Sequence, residues 1–465
     1  MNLSKIRVFR DFFGGCNFAV SKNIKEMILK NTGNTRILFI LAALMLAIYA
    51  SGQELADTAG YGRFRFGSYG EIVASFKDYG INRFQKEGST KDHRNTIAIP
   101  RFTLGFDYKF TPKWILGAEI EFEAGGTGTA VELEGNENGE YETEIEKGGE
   151  VALEQLHITR LIVPGLNVRA GHMVIPVGLT NAHHEPINFF GTTRPESQTV
   201  MIPSTWHETG IELFGTFGRG HALFDYQLMV VAGLNANGFD RDTWVASGKQ
   251  GFFENDNFTS PGYVARLDWR GVKGLRTGVS FYYCRDTGSN SDKSETYASF
   301  GRIPLQIVTW DAQYRNSYLT ARADLTYGHL GNTAAVNQRN GRLPGASPYS
   351  RLTPVAKNAL SYGAEIGFDL GRTFSITGCP MLMPFCRYDY SNPQKSVAKP
   401  YAADNRLEVS KWTVGADWFP LPNLVVKADW STRQVGTSKV FGKGSYNSEN
   451  EFSLGIAYIG WFFRK

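Results

Sequence analysis

Beyond residue 60 this chain has no apolar run long enough to cross a bilayer as a helix. A helical membrane protein is therefore excluded for the bulk of the sequence. Cysteine is scarce, four in 465 residues, with no CxxC pair and no zinc-finger spacing. Neither a disulfide framework nor a zinc module organises the chain. No G-x-S-x-G turn occurs, and Ser204, His207 and Glu208 are close only in sequence, which is little argument for a triad. The expectation is that the chain is not an enzyme and carries no cofactor.

One short apolar run does exist. Ile37 to Ala50 reads ILFILAALMLAIYA, preceded by Lys30 and Arg36 and followed by small residues. It is too short to span and right for the core of a secretion signal. The expected signal peptide is 1–52, or 27–52 if Met27 is the true start, with cleavage after Gly52 and Ala50 as the alternative. Residues 53–465 then form the mature domain. The leader holds seven basic residues and two acids, so the remainder has 42 bases and 43 acids, a net charge of −1. The basic pI belongs to the leader and gives no reason to expect nucleic-acid binding. Three cysteines remain, of which Cys379 and Cys386 could close a small loop.

What is abundant is alternation. In RFTLGFDYKF, Phe102, Leu104, Phe106, Tyr108 and Phe110 share one strand face, and Arg101, Thr103, Gly105, Asp107 and Lys109 share the other. After Thr111-Pro112-Lys113, WILGAEIEFE places Trp114, Leu116, Ala118, Ile120 and Phe122 opposite Glu119, Glu121 and Glu123. The pattern continues to the end of the chain, with short turns and long polar loops in strict phase. The spacing predicts sixteen strands near 63–75, 96–110, 113–124, 150–161, 165–173, 208–218, 221–233, 261–270, 274–285, 305–315, 318–328, 359–370, 380–391, 406–418, 424–434 and 450–462. A water-soluble β protein would also alternate. The secretion signal and the phased loops instead point to an all-β transmembrane antiparallel β-barrel in the outer membrane of a Gram-negative bacterium. Sixteen strands leave an aqueous channel.

Three further features stand out. A basic residue, any residue, then Asp recurs on the strands: Arg266/Asp268, Arg322/Asp324, Arg387/Asp389 and Lys427/Asp429, with Asp107/Lys109 reversed. Each pair shares a face, as a charged ladder for solutes or as ion pairs that strengthen the wall. The third long loop contains PVGLTNAHHEPINFFGTTRPESQTVMIPSTWHETG, residues 176–210. It has no period, yet it carries charges, prolines and large apolar side chains. An acidic run, Glu132 to Glu150, lies in the second long loop and reads as a solvated external loop that attracts cations.

GLNVRAGHMVIPVGLTNAHHEP and RPESQTVMIPSTWHETGIELFG, with GSYGEIVASF, IEFE, FDYQLMVVAGLNANGF and PFCRYDYSNP, resemble the phosphate-selective porin O and P family, of Bacteroidetes type. The likeness covers nearly all of the mature chain. It implies a sixteen-stranded, homotrimeric outer-membrane porin: a passive channel for small hydrophilic solutes or ions, phosphate and other anions among them. In the porins that this chain resembles, the loop corresponding to 176–210 folds into the lumen and sets the constriction, and the resemblance implies the same here. The chain departs from the family in having one arginine, Arg194, in the third loop, and in ending Phe462-Phe463-Arg464-Lys465. The expected pore-lining residues are Arg101, Lys109, Glu119, Glu121, Arg169, His183, His184, Glu185 and Arg194. Expected partners are outer-membrane lipids and the solutes themselves. Adjacent histidines are poorly spaced to share a tetrahedral ion, so no metal is expected. The alternative is a surface adhesion or docking barrel with a blocked pore.

Overall fold

The computed structural model describes residues 62–78, 93–126, 149–250, 256–291, 299–341, 353–375, 380–436 and 448–464, and the backbone of 131–135 and 141–145. The proposed signal segment, Cys379 and the acidic side chains of Glu132 to Glu146 lie outside the described residues.

The chain is a closed, all-antiparallel barrel of sixteen strands. In chain order these are β1 (Phe64–Asp78), β2 (His93–Thr111), β3 (Trp114–Glu123), β6 (Val151–Val163), β7 (Leu166–Val174), β8 (His207–Arg219), β9 (Ala222–Val231), β10 (Gly262–Val272), β11 (Leu275–Cys284), β12 (Leu305–Arg315), β13 (Leu319–Leu330), β14 (Asn358–Phe368), β15 (Met381–Ser396), β16 (Val409–Leu421), β17 (Leu424–Val435) and β18 (Ser448–Arg464). The numbers β4 (Val131–Gly135) and β5 (Tyr141–Ile145) belong to a separate hairpin in the second long loop. Neighbours in sequence are neighbours in the wall, and β1 pairs with β18 from Asp78↔Asn450 to Arg65↔Arg464, which closes the ring. Closure leaves no strand edge, so every wall N–H and C=O can find a partner without water.

The strand periods predicted from alternation agree with the observed strands to within a few residues. The β4–β5 hairpin is a correction to the simple loop expected there. Its V-E-L-E and Y-E-T-E-I patterns alternate too, and pair in register from Val131↔Ile145. A helix at Thr333–Gly341 and a one-turn helix at Leu370–Thr373 were likewise not anticipated. Cys386 is a free thiol.

The two faces of the wall differ chemically. Outward positions are apolar and exposed: Ile72, Ile211, Leu267, Val279, Val308, Leu325, Ile366, Val414, Leu454 and Ile456. Aromatic side chains bracket this aliphatic band. Phe110, Trp114, Tyr318, Trp418, Phe462 and Phe463 lie near the short-turn end, and Phe76, Tyr263, Tyr327, Trp412, Trp430 and Phe452 near the long-loop end. That is the lipid-facing surface of a transmembrane barrel, with a girdle at each interface. Inward positions are polar and buried, among them Arg266, Asp268, Asp311, Asp324, Arg387, Asp389, Asp417, Lys427 and Asp429.

Candidate functional site

The interior is divided unequally. At the long-loop end of β7–β14, connecting segments pack an apolar core of Met173, Ile175, Met201, Trp206, Phe239, Trp244, Tyr282, Ile303 and Val336. Trp206 and Tyr282 meet ring to ring, with centroids 4.7 Å apart. This core resembles that of a soluble domain, and it immobilises the loops above one side of the barrel.

Segment 175–206 runs from β7 to β8 and is held mainly by the strands of the far wall. Lys427 on β17 donates to three carbonyls, those of Pro186 (2.5 Å), Phe189 (2.8 Å) and Gly191 (2.7 Å). Arg387 on β15 donates to the carbonyls of Phe190 (2.8 Å) and Thr193 (2.9 Å). The complementary acids take the segment's N–H groups: Asp429 from Thr192 (2.7 Å), Asp417 from Gly191 (3.2 Å) and Asp389 from Ser197 (3.2 Å). Ser197 Oγ donates to Asp324 (3.1 Å), and Arg433 Nε to Glu196 (2.8 Å). Phe190 stacks on Phe385 with centroids 5.2 Å apart. A buried irregular backbone must find a partner for each polar group. The recurring basic-x-Asp pairs on β15 and β17 do this work, while on β13 Asp324 takes the Ser197 hydroxyl and Arg322 bonds Glu365 of the next strand. The β15 and β17 pairs thus anchor the segment as well as lining the wall. The pair on β10 does brace the wall: Arg266 forks onto Asp268 and Asp311 at 2.7–2.8 Å.

Burial opposes ionisation of Glu196, but Arg433 beside it holds its carboxyl below the usual range. His184 is also buried, which alone would depress its pKa. The adjacent Glu154 carboxylate reverses this and pushes it up to about 10.

The opposite side of the interior is open. A cavity of about 750 Å³ lies against β1, β2, β3, β6 and β18 at the short-turn end. Arg65, Asp107, Lys109, Lys113, His157 and Trp461 are among its walls. A second cavity of about 200 Å³ lies further toward the loops, beside Val174, Pro176, His184 and Gln227. Glu119, Gln155, Arg169 and Glu185 line both, so the two spaces meet at these four side chains. Arg169 is paired with Glu212 at 3.0 Å, Glu185 accepts from Asn188 at 2.7 Å, and Gln155 donates to Glu119.

The residues expected to line a pore are therefore placed differently from one another. Lys109, Glu119, Arg169, His184 and Glu185 line these two cavities. His183 faces a small pocket of about 20 Å³ on the other side of the segment and is bonded to Arg276 at 3.0 Å. Arg101 lies 3.5 Å from both Glu71 and Glu121 in a buried cluster. Arg194 donates to Ser204 at 2.9 Å. Sequence reasoning missed Gln155 and Glu154. The β3–β6 register slips between Glu119↔Gln155 and Ile120↔Leu153. This bulge turns two consecutive side chains inward, which a strict period of two cannot show.

No protein-family model matches the chain. A protein of Aquifex aeolicus (strain VF5), described as uncharacterized, is 24% identical over 377 residues, 80% of this chain and 76% of its own length. Among solved structures, OmpF of Salmonella typhi in complex with daunomycin superposes with a TM-score of 0.51 at 11% identity, covering 88% of this chain and 100% of the other. An anion-selective porin from Comamonas acidovorans gives 0.48 at 9% identity over 85% of this chain and 99% of its own. OprB of Pseudomonas putida gives 0.47 at 10% over 86% and 94%. The barrel has the fold of the outer-membrane porins.

Proposed function

We propose that this protein is a passive channel of a Gram-negative outer membrane, admitting small hydrophilic solutes or ions, and that it assembles as a homotrimer. The observation that carries the reading is the pair of polar cavities that meet at Glu119, Gln155, Arg169 and Glu185 inside a wall whose outer face is apolar. Segment 175–206 is the constriction in this account. It narrows the lumen from the β13–β17 side and leaves passage along β1–β3, β6, β7 and β18. Selectivity then comes from the charges and width of the neck. Two carboxylates and one guanidinium there favour cations weakly. Phosphate preference, a property of the family's named members, is not favoured by this set.

Single-channel recording in planar bilayers tests the proposal. The expected result is discrete conductance steps with a reversal potential slightly toward cations in a salt gradient. Correctly folded barrels that give no steps would favour a docking barrel with a blocked pore.

A further inference from the structure

The neck holds a group of side chains that ion conduction does not require. Glu119 on β3, Glu154 on the β6 bulge and His184 on segment 175–206 each offer a ligand atom, and these atoms all lie within 4.8 Å of one another. Glu154 is fully buried. Its Oε2 accepts from Tyr69 at 3.2 Å and lies 3.6 Å from His184 Nε2, while its Oε1 has no hydrogen-bond partner. A buried carboxylate oxygen left without a donor is costly and calls for an explanation. The surroundings are also short of positive charge. Glu71 and Glu121 lie on the same inner surface, and the basic groups bonded to this set are Arg101 and His184.

We propose that Glu119, Glu154 and His184 form a binding site for one Zn²⁺ ion, which clips segment 175–206 to the β3–β6 wall. One imidazole and two carboxylates are a zinc donor set, with a fourth position left for Tyr69 or a lumen water. Magnesium and calcium require more oxygen ligands than this site supplies. Tetrahedral ligands stand roughly 3.3 Å apart around zinc, so the donors need to draw together by only about 1.5 Å at most. Supporting contacts of the kind found behind metal ligands are present. His184 Nδ1 lies 3.2 Å from the carbonyl of Asn181, so Nε2, which meets Tyr69 Oη at 2.9 Å, is the nitrogen turned toward the carboxylates and the one a bound ion would take in place of a proton, and Gln155 holds Glu119. The ion has a way in, because Glu119 and His184 both line the 200 Å³ cavity.

The test uses the untagged mature barrel in detergent, stripped with EDTA, titrated with ZnCl₂ by calorimetry and with Co²⁺ by visible absorption. The expected result is one Zn²⁺ per chain, and a Co²⁺ spectrum of a four-coordinate site that Zn²⁺ abolishes and millimolar Mg²⁺ does not. Affinity should fall at least tenfold in Glu154→Gln and in Glu119→Gln, whose folding is checked by heat-modifiable gel mobility. A wild-type barrel with no such Co²⁺ spectrum overturns the proposal. So does equal zinc binding by the wild type and whichever of the two variants folds. Both readouts report binding, so their failure leaves the channel reading intact.

Discussion

The two sides of the barrel interior begin from the same material, inward polar side chains alternating with outward apolar ones, and end differently. Along β13–β17 the inward charges are consumed. Lys427, Arg387, Asp389 and Asp429 are buried and bonded to the backbone of segment 175–206. Along β1–β3 and β6 the inward charges instead border the larger cavity, gather in the Glu119–Glu154–His184 group or pair with one another, as Arg101 does with Glu71 and Glu121. The difference lies in what meets them. One side receives a loop whose orphan N–H and C=O groups need partners, and the other receives solvent. A charged residue on a barrel wall is therefore not a pore residue until its partner is known.

The largest way to break this contrast is Lys427→Met. It leaves three buried carbonyls without their donor, at a cost of about 3 kcal/mol or more. The expected outcome is a lower thermal midpoint in heat-modifiable mobility and at least a twofold rise in single-channel conductance, as the segment leaves its wall. Trp206→Ala removes an indole from the apolar core at the loop end, at a cost of about 3 kcal/mol. Here the midpoint falls similarly, but the reversal potential stays as in the wild type, because the neck charges are untouched.

Arg169→Gln acts on the open side. It takes the guanidinium from the neck while Gln227 still donates to Glu212 at 2.7 Å. The reversal potential should move toward cations, with a stability loss of only about 1 kcal/mol. The smallest effect concerns pH. Burial works to raise the Glu196 pKa from its ordinary 4.5, and Arg433 overcomes this and lowers it. A depressed carboxylate stabilises the fold fully above its ordinary pKa and loses that contribution as pH falls through the lowered value. Conductance should therefore be insensitive to this contact from about pH 5 to 8 and rise below about pH 4. Arg433→Gln should remove the acid step.

Much of the wall was legible because lipid outside and water inside impose a period of two over ten or more residues. The outward Phe102, Leu267 and Val279 can be read directly from their neighbours. The placement of the interior was less legible. The basic-x-Asp pairs were visible, but for two of them the partners lie more than a hundred residues away: Lys427 meets Pro186, and Arg387 meets Phe190. Alternation states which face a charge takes and not what sits opposite. Arg101 and Glu121 illustrate this, since both face inward and stand 3.5 Å apart as an ion pair rather than facing solvent. Glu154 was hidden for another reason. A single inserted residue on β6 reversed the phase locally, and only the register with β3 reveals it.

The central claim is that passage runs along the β3–β6 side and nowhere along β13–β17. It is tested most directly by Gln155→Cys, in a background with the native cysteines replaced by serine, under single-channel recording while a bulky charged thiol reagent is added. Gln155 stands where the two cavities meet. The account predicts a stepwise loss of most of the current on labelling, and no change in the cysteine-free parent. Full current through a channel shown to be labelled at residue 155 would contradict it.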